Sequence, residues 1–250
     1  LLNNVVLNPR ASLLYKFKNS TQFRITWGTG FRAPQAFDAD LHISFAGGGV
    51  SRISLSPDLK EERSSSLSTS LNYDKAAEKY IIGFTLEAFY TQLNNAFYQH
   101  PLGEDELGEL FEKRNGAGAL VKGLTLELRA NYSKKVQLET GLTLQSSAFD
   151  QAIEYSDELE SKRKFLRAPD LYGFATFSFI PNKKFKTSVN LVYTGSMELI
   201  HLAGSPEQKM DEYVNSNTFT ELSFKTGYTF KLEEIDTNLE LYAGMKNIFN

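Results

Sequence analysis

A chain of 250 residues with a formal net charge of −3 carries no basic surplus of the kind that holds nucleic acid. It has no cysteine, which excludes a disulfide framework and thiolate metal sites. No run of 18 apolar residues occurs, so no helix of this sequence crosses a bilayer; 19 phenylalanines and 12 tyrosines instead suit the half-buried pleated surface of a sheet. The length fits one or two domains, or one large β domain.

The N-terminal stretch LLNNVVLNPR has neither the basic start nor the apolar core of a signal peptide, so the chain reads as beginning inside a longer protein. Alternation of apolar and polar residues sets in at once. Ala11, Leu13, Tyr15 and Phe17 alternate with Ser12, Lys16 and Lys18, with Leu14 out of step. TQFRITWGTGFRAP follows, with Phe23, Ile25, Trp27 and Phe31 on one face and Arg24, Thr26, Gly28, Gly30 and Arg32 on the other. Leu67, Leu71 and Tyr73 continue the pattern, then Tyr80, Ile82, Phe84, Leu86, Ala88 and Tyr90. The cleanest case is Leu124, Leu126, Leu128, Ala130 and Tyr132 against Thr125, Glu127, Arg129 and Asn131. Leu138, Leu142 and Leu144 come next, and further strands fall near 170–180, 185–195, 218–230 and 237–248. The period of two predicts about ten strands.

The connections sort by length. Those at 18–21, 74–79, 133–135, 181–184 and 232–237 are short, and those at 33–62, 94–117, 147–169 and 196–217 are long. Short and long alternate throughout, as in an up-and-down meander with every long loop at one end. Compact domains rarely carry several patternless loops above about 15 residues. Within two of them, the charged runs at 103–113 and 155–165 read as solvated faces or short helices. A soluble β-sandwich also alternates, but its strands are commonly about 5–6 residues long and its loops are not sorted. Long strands with one apolar face, short turns and long loops predict an all-β, antiparallel transmembrane barrel. In hydrocarbon every backbone N–H and C=O must be paired within the protein, and a closed sheet does this. Tyr15, Trp27, Tyr73, Tyr80, Tyr132 and Tyr193, near strand ends, suit its interfacial girdles.

Four boxes in order carry a resemblance. GFRAP (Gly30–Pro34) closes a strand, PDLK precedes the strand that leads to Tyr73, NGAGALVKGLTLEL (Asn115–Leu128) opens another, and GMKNIFN (Gly244–Asn250) ends the chain. Across essentially its whole length the sequence resembles the C-terminal half of the barrel of a TonB-dependent outer-membrane receptor. Ser56 stands where the family usually has Asn. The resemblance implies about ten strands of a barrel of 22, with the lumen-filling plug and the final strand lying outside residues 1–250. It implies a receptor rather than an enzyme, sited in the outer membrane of a Gram-negative cell. Such a receptor takes up a scarce nutrient: a siderophore, haem, cobalamin or a glycan. Its expected partners are outer-membrane lipid, a TonB-type periplasmic energy-coupling protein acting through the missing N-terminal region, the nutrient and a surface lipoprotein, with no nucleic acid.

The ligand residues are sought in the loop after Pro34, where proline ends the ladder and recognition concentrates. Asp38, Asp40 and His42 lie close together there, with Arg32 at its base. Carboxylates and imidazole suit a metal ion or sugar hydroxyls. In haem receptors of the family a histidine between these boxes ligates iron, so His42 is the candidate axial ligand and Arg32 the partner of a propionate. Haem enters here as transported ligand and not as a resident cofactor. Glu87, Glu127, Arg129, Glu139 and Glu221 fall on the lumen side, most simply as a hydrated wall. The competing readings are a ten-stranded barrel protease or lipase, for which no Ser/His/Asp signature is present, and a passive pore or adhesin.

Overall fold

The computed structural model describes residues 6–34, 41–43, 50–105, 108–201, 203 and 208–249. Asp38 and Asp40 lie outside the described residues. β1 (Arg10–Lys16) and β2 (Thr21–Arg32) form the first hairpin, and the first long connection holds β3 (Leu41–Ile43) and β4 (Val50–Leu55). β5 (Glu62–Ala76) and β6 (Tyr80–Asn94) follow, then β7 (Phe97–Asp105) and β8 (Gly108–Asn115) in the second long connection. β9 (Gly118–Tyr132) and β10 (Val136–Ile153) lead into the third, which holds β11 (Lys162–Lys164). β12 (Leu171–Phe179) and β13 (Phe185–Thr194) precede the fourth, with β14 (Glu198–His201) and β15 (Glu212–Asn215), and β16 (Phe219–Leu232) and β17 (Thr237–Met245) end the chain.

One 11-stranded sheet dominates. Its order is β1-β2-β5-β6-β9-β10-β12-β13-β16-β17, with β11 added to β10, and neighbours along it are antiparallel. This is the expected up-and-down wall of a partial barrel. The long connections are not patternless, however. β3, β4, β8 and β7 form a separate four-stranded sheet, and β14 pairs with β15. The charged run at 103–113 lies mostly in β7 and β8, and that at 155–165 contains β11, so neither is a helix. A lone helix of that length is marginal in water, whereas a neighbouring connection supplies backbone partners along its edge.

The register gathers most of the large apolar side chains of the central strands on one face. Phe23, Leu71, Leu86, Leu126 and Leu142 are directly opposed from strand to strand, and beside them run Ile25, Thr69, Ala88, Leu124, Leu144 and Leu171. The rows between hold Arg24, Ser70, Glu87, Thr125 and Thr143. A slip of one residue would exchange the two faces. The leucines have no protein over them: Leu124 is 51% exposed, Leu142 48% and Leu144 54%. A continuous apolar surface of this kind marks an interaction face.

The polar face has its own packing rule. Phe89 is opposed to Gly123, and Phe174 to Gly141. A Cβ on Gly123 would stand 2.5 Å from Phe89 Cζ, and one on Gly141 2.6 Å from Phe174 Cε1. Each ring therefore lies over the bare Cα of the next strand, which only glycine leaves open. Toward the short turns, Arg129 donates to Thr85 Oγ1 at 2.7 Å and to Asp74 at 3.0 Å, while Thr85 donates to Asn72 Oδ1 at 2.8 Å. Toward the long connections the same face turns apolar. Ala96, Ala119, Phe149 and Ile153 form the buried cluster of the described residues, and Phe165 stacks on Phe149 with ring centres 4.3 Å apart.

Candidate ligand site at the loop end

β2 ends at Arg32, where Pro34 takes the chain off the ladder, and this sets the base of the first long connection. Arg32 lies 3.7 Å from Glu62 and 5.5 Å from the centre of the Phe97 ring. Lys113 reaches the same ring at 4.9 Å, and Glu62 accepts the Phe97 backbone N–H at 2.6 Å. Arg32 thus knits the first connection to the second. β4 runs parallel to β8, from Arg52 opposite Leu110 to Leu55 opposite Lys113. Asn115 clamps the seam: its Oδ1 accepts the Lys60 N–H at 2.6 Å, and its Nδ2 donates to the carbonyls of Lys60 and Asn95. His42 sits in β3 opposite Ser51 at the backbone level.

The third and fourth connections form a second unit. Lys162 pairs with Glu198 and lies 3.8 Å from the centre of the Tyr213 ring. The Tyr213 hydroxyl donates to the Glu160 carbonyl at 2.9 Å, and the Asp211 N–H to Glu158 at 3.0 Å. Ser156, only 6% exposed, donates to Asp211. Burial pushes the Tyr155 phenol up to about 12, with Tyr213 adding to the shift, and burial also raises Tyr213. Between the two units lies an open hollow of about 250 Å³, lined by Leu110 and Phe111 from one side and Tyr155, Asp157, Glu158 and Asp211 from the other. It offers carboxylates and aromatic edges together, as a site for a polar, ring-bearing solute does. A larger hollow of about 510 Å³ sits lower on the polar face, among Thr125, Thr143, Tyr172, Phe174, Val192 and Thr194.

Of the four ligand residues expected from the sequence, only Arg32 has a described side chain, and it is engaged with Glu62 and Phe97. His100 is half-buried beside Tyr98, while His201 is exposed in β14. No three His, Asp or Glu converge in metal-ligand geometry among the described residues. The cluster of Tyr155, Lys162, Glu198 and Tyr213 escaped the sequence, where 155–165 reads as a solvated run. Lys162 and Glu198 lie 36 residues apart, and no local spacing announces them.

Solved structures share the fold. The siderophore receptor PirA from Acinetobacter baumannii superposes with a TM-score of 0.68 at 12% identity, over 97% of this chain and 36% of its own. The copper transporter OprC gives 0.65 at 14% identity, over 96% and 33%. The FrpB iron transporter from Neisseria meningitidis (F5-1 variant) gives 0.63 at 14%, over 97% and 35%. At such identity the likeness shows the fold, and the chain spans about a third of the length of these structures. No curated protein matches it by sequence. The family model described as TonB dependent receptor-like, beta-barrel, matches residues 3–248, and the chain belongs to that family of TonB-dependent receptor barrels.

Proposed function

We propose that the protein carrying this chain is an outer-membrane receptor for energy-coupled uptake of a scarce nutrient, and not an enzyme. The family match over residues 3–248 carries this reading. The exposed leucine rows supply a lipid face, and the paired long connections supply a ligand platform at one end. Energy coupling requires a TonB-type periplasmic protein acting on a plug within the wall. The cargo is a siderophore, haem, cobalamin or glycan, and the likeness to a siderophore receptor, a copper transporter and an iron transporter favours a metal-bearing one.

The test is uptake. Cells lacking the receptor are given back either the whole protein or a form without residues 38–49, and are grown with each candidate nutrient limiting. The whole protein restores growth on at least one nutrient and loses this effect when the proton gradient is collapsed. The shortened form inserts but does not restore growth. Restoration that survives collapse of the gradient points to a passive pore and overturns the reading. Should haem be the cargo, a Soret shift on titration disappears in His42→Ala.

A further inference from the structure

The short turns carry a feature that the uptake reading leaves unused. Three of them stand side by side along the sheet: β5 to β6, β9 to β10, and β12 to β13. Backbone hydrogen bonds join them, from Ser133 N–H to the Lys79 carbonyl at 2.5 Å and from Ile180 N–H to the Lys135 carbonyl at 2.7 Å. Lys79, Lys134, Lys135, Lys183 and Lys184 project from these turns, and all five are exposed. No ion pair engages any of them among the described residues, and Glu78 is the one carboxylate within these turns. The ridge is local: the β16 to β17 connection carries Glu233, Glu234 and Asp236 instead.

Two observations say what the ridge faces. The row of apolar-face residues nearest to it is Tyr80, Tyr132, Val136, Phe179 and Thr187, with Tyr132 56% exposed. Tyrosines at the edge of an apolar band sit at headgroup level, so the lysines one to four residues beyond that row reach the phosphates. Backbone strain gives the second. Ser133 and Lys134 take φ of 52° and 58°, closed by Lys135 N–H to the Tyr132 carbonyl at 2.9 Å. Such a turn prefers Asn-Gly. A lysine held there against its own preference points to a use for its side chain.

We infer that these five lysines form a docking ridge for anionic phospholipid headgroups of the leaflet on the short-turn side. The inference rests on the reading that the apolar face meets lipid. Charge, flexible stems and the adjoining tyrosines match a phosphodiester at the bilayer surface. The intact receptor is reconstituted in vesicles of phosphatidylcholine and phosphatidylglycerol, and spin-labelled forms of each lipid report which is immobilised at the protein. Wild type prefers phosphatidylglycerol by roughly fivefold per site, the factor one lysine near a charged surface carries. The preference falls in high salt. Changing all five lysines to Gln abolishes it, changing them to Arg keeps it, and Lys209→Gln on the opposite end leaves it unchanged. A receptor that inserts with equal affinity for both lipids, or whose Gln variant keeps the preference, overturns this inference alone. A protein that does not insert at all overturns the barrel reading and the ridge with it.

Discussion

At the scale of single residues, neighbours on one strand answer to different solvents. Leu126 lies amid the exposed leucine rows, while Thr125 turns to the polar face and hydrogen-bonds Thr143 at 2.9 Å. In the reconstituted receptor, Leu126→Arg is expected to lower unfolding stability by about 2–4 kcal/mol, the cost of a cation near the bilayer midplane. Thr125→Arg gives up one hydrogen bond, about 1 kcal/mol, and keeps its charge in water. Equal losses in denaturant titrations would refute the assignment of faces. Tyr155 supplies a second residue-scale expectation. Its phenol ionises near 12 instead of 10.0 because burial disfavours the phenolate. The folded state therefore holds this proton longer than the unfolded chain does. The stability linked to it is complete below pH 10 and is lost as pH climbs toward about 12. Ultraviolet titration should show one late-ionising tyrosine fewer in Tyr155→Phe; an unchanged curve would count against it.

At the scale of elements, the long connections work in pairs. β4 with β8 locks the first to the second, and Lys162 with Glu198 and Tyr213 locks the third to the fourth. Lys162→Ala would leave Glu198 partly buried without its cation, which favours local opening over global unfolding. Amide exchange in β14 and β15 should speed up by about tenfold, equivalent to about 1.4 kcal/mol, while β9 and β10 keep wild-type protection. Exchange that rises equally in β9 would show that the second unit does not open by itself. This pairing was not legible in the sequence. β8 reads GELFEKRN, with no clean alternation, and becomes a strand because β7 and β4 flank it. β9 needed no such help, since Leu124 to Tyr132 alternate through the whole span in either context.

At the scale of the whole molecule, the sorting of connections by length is a statement about sidedness. Single cysteines placed at 134, 183 or 234 of the intact receptor are expected to escape an impermeant thiol reagent added to cells, and those at 103, 158 or 209 to react. Labelling of both sets from outside would exclude the topology. The sequence by itself determined the ten wall strands, their antiparallel order, their two faces and the gathering of the long connections at one end. Each of these follows from a period of two and from turn length, which are local properties of the chain. The tertiary structure alone decided which connections pair, that Arg32 is held by Glu62 and Phe97, that Tyr155 and Lys162 are drawn into a shared cluster, and that the lysines of three turns merge into one ridge. Those contacts join residues far apart in sequence, and their energies depend on burial and charge that arise only once the wall has brought distant segments side by side.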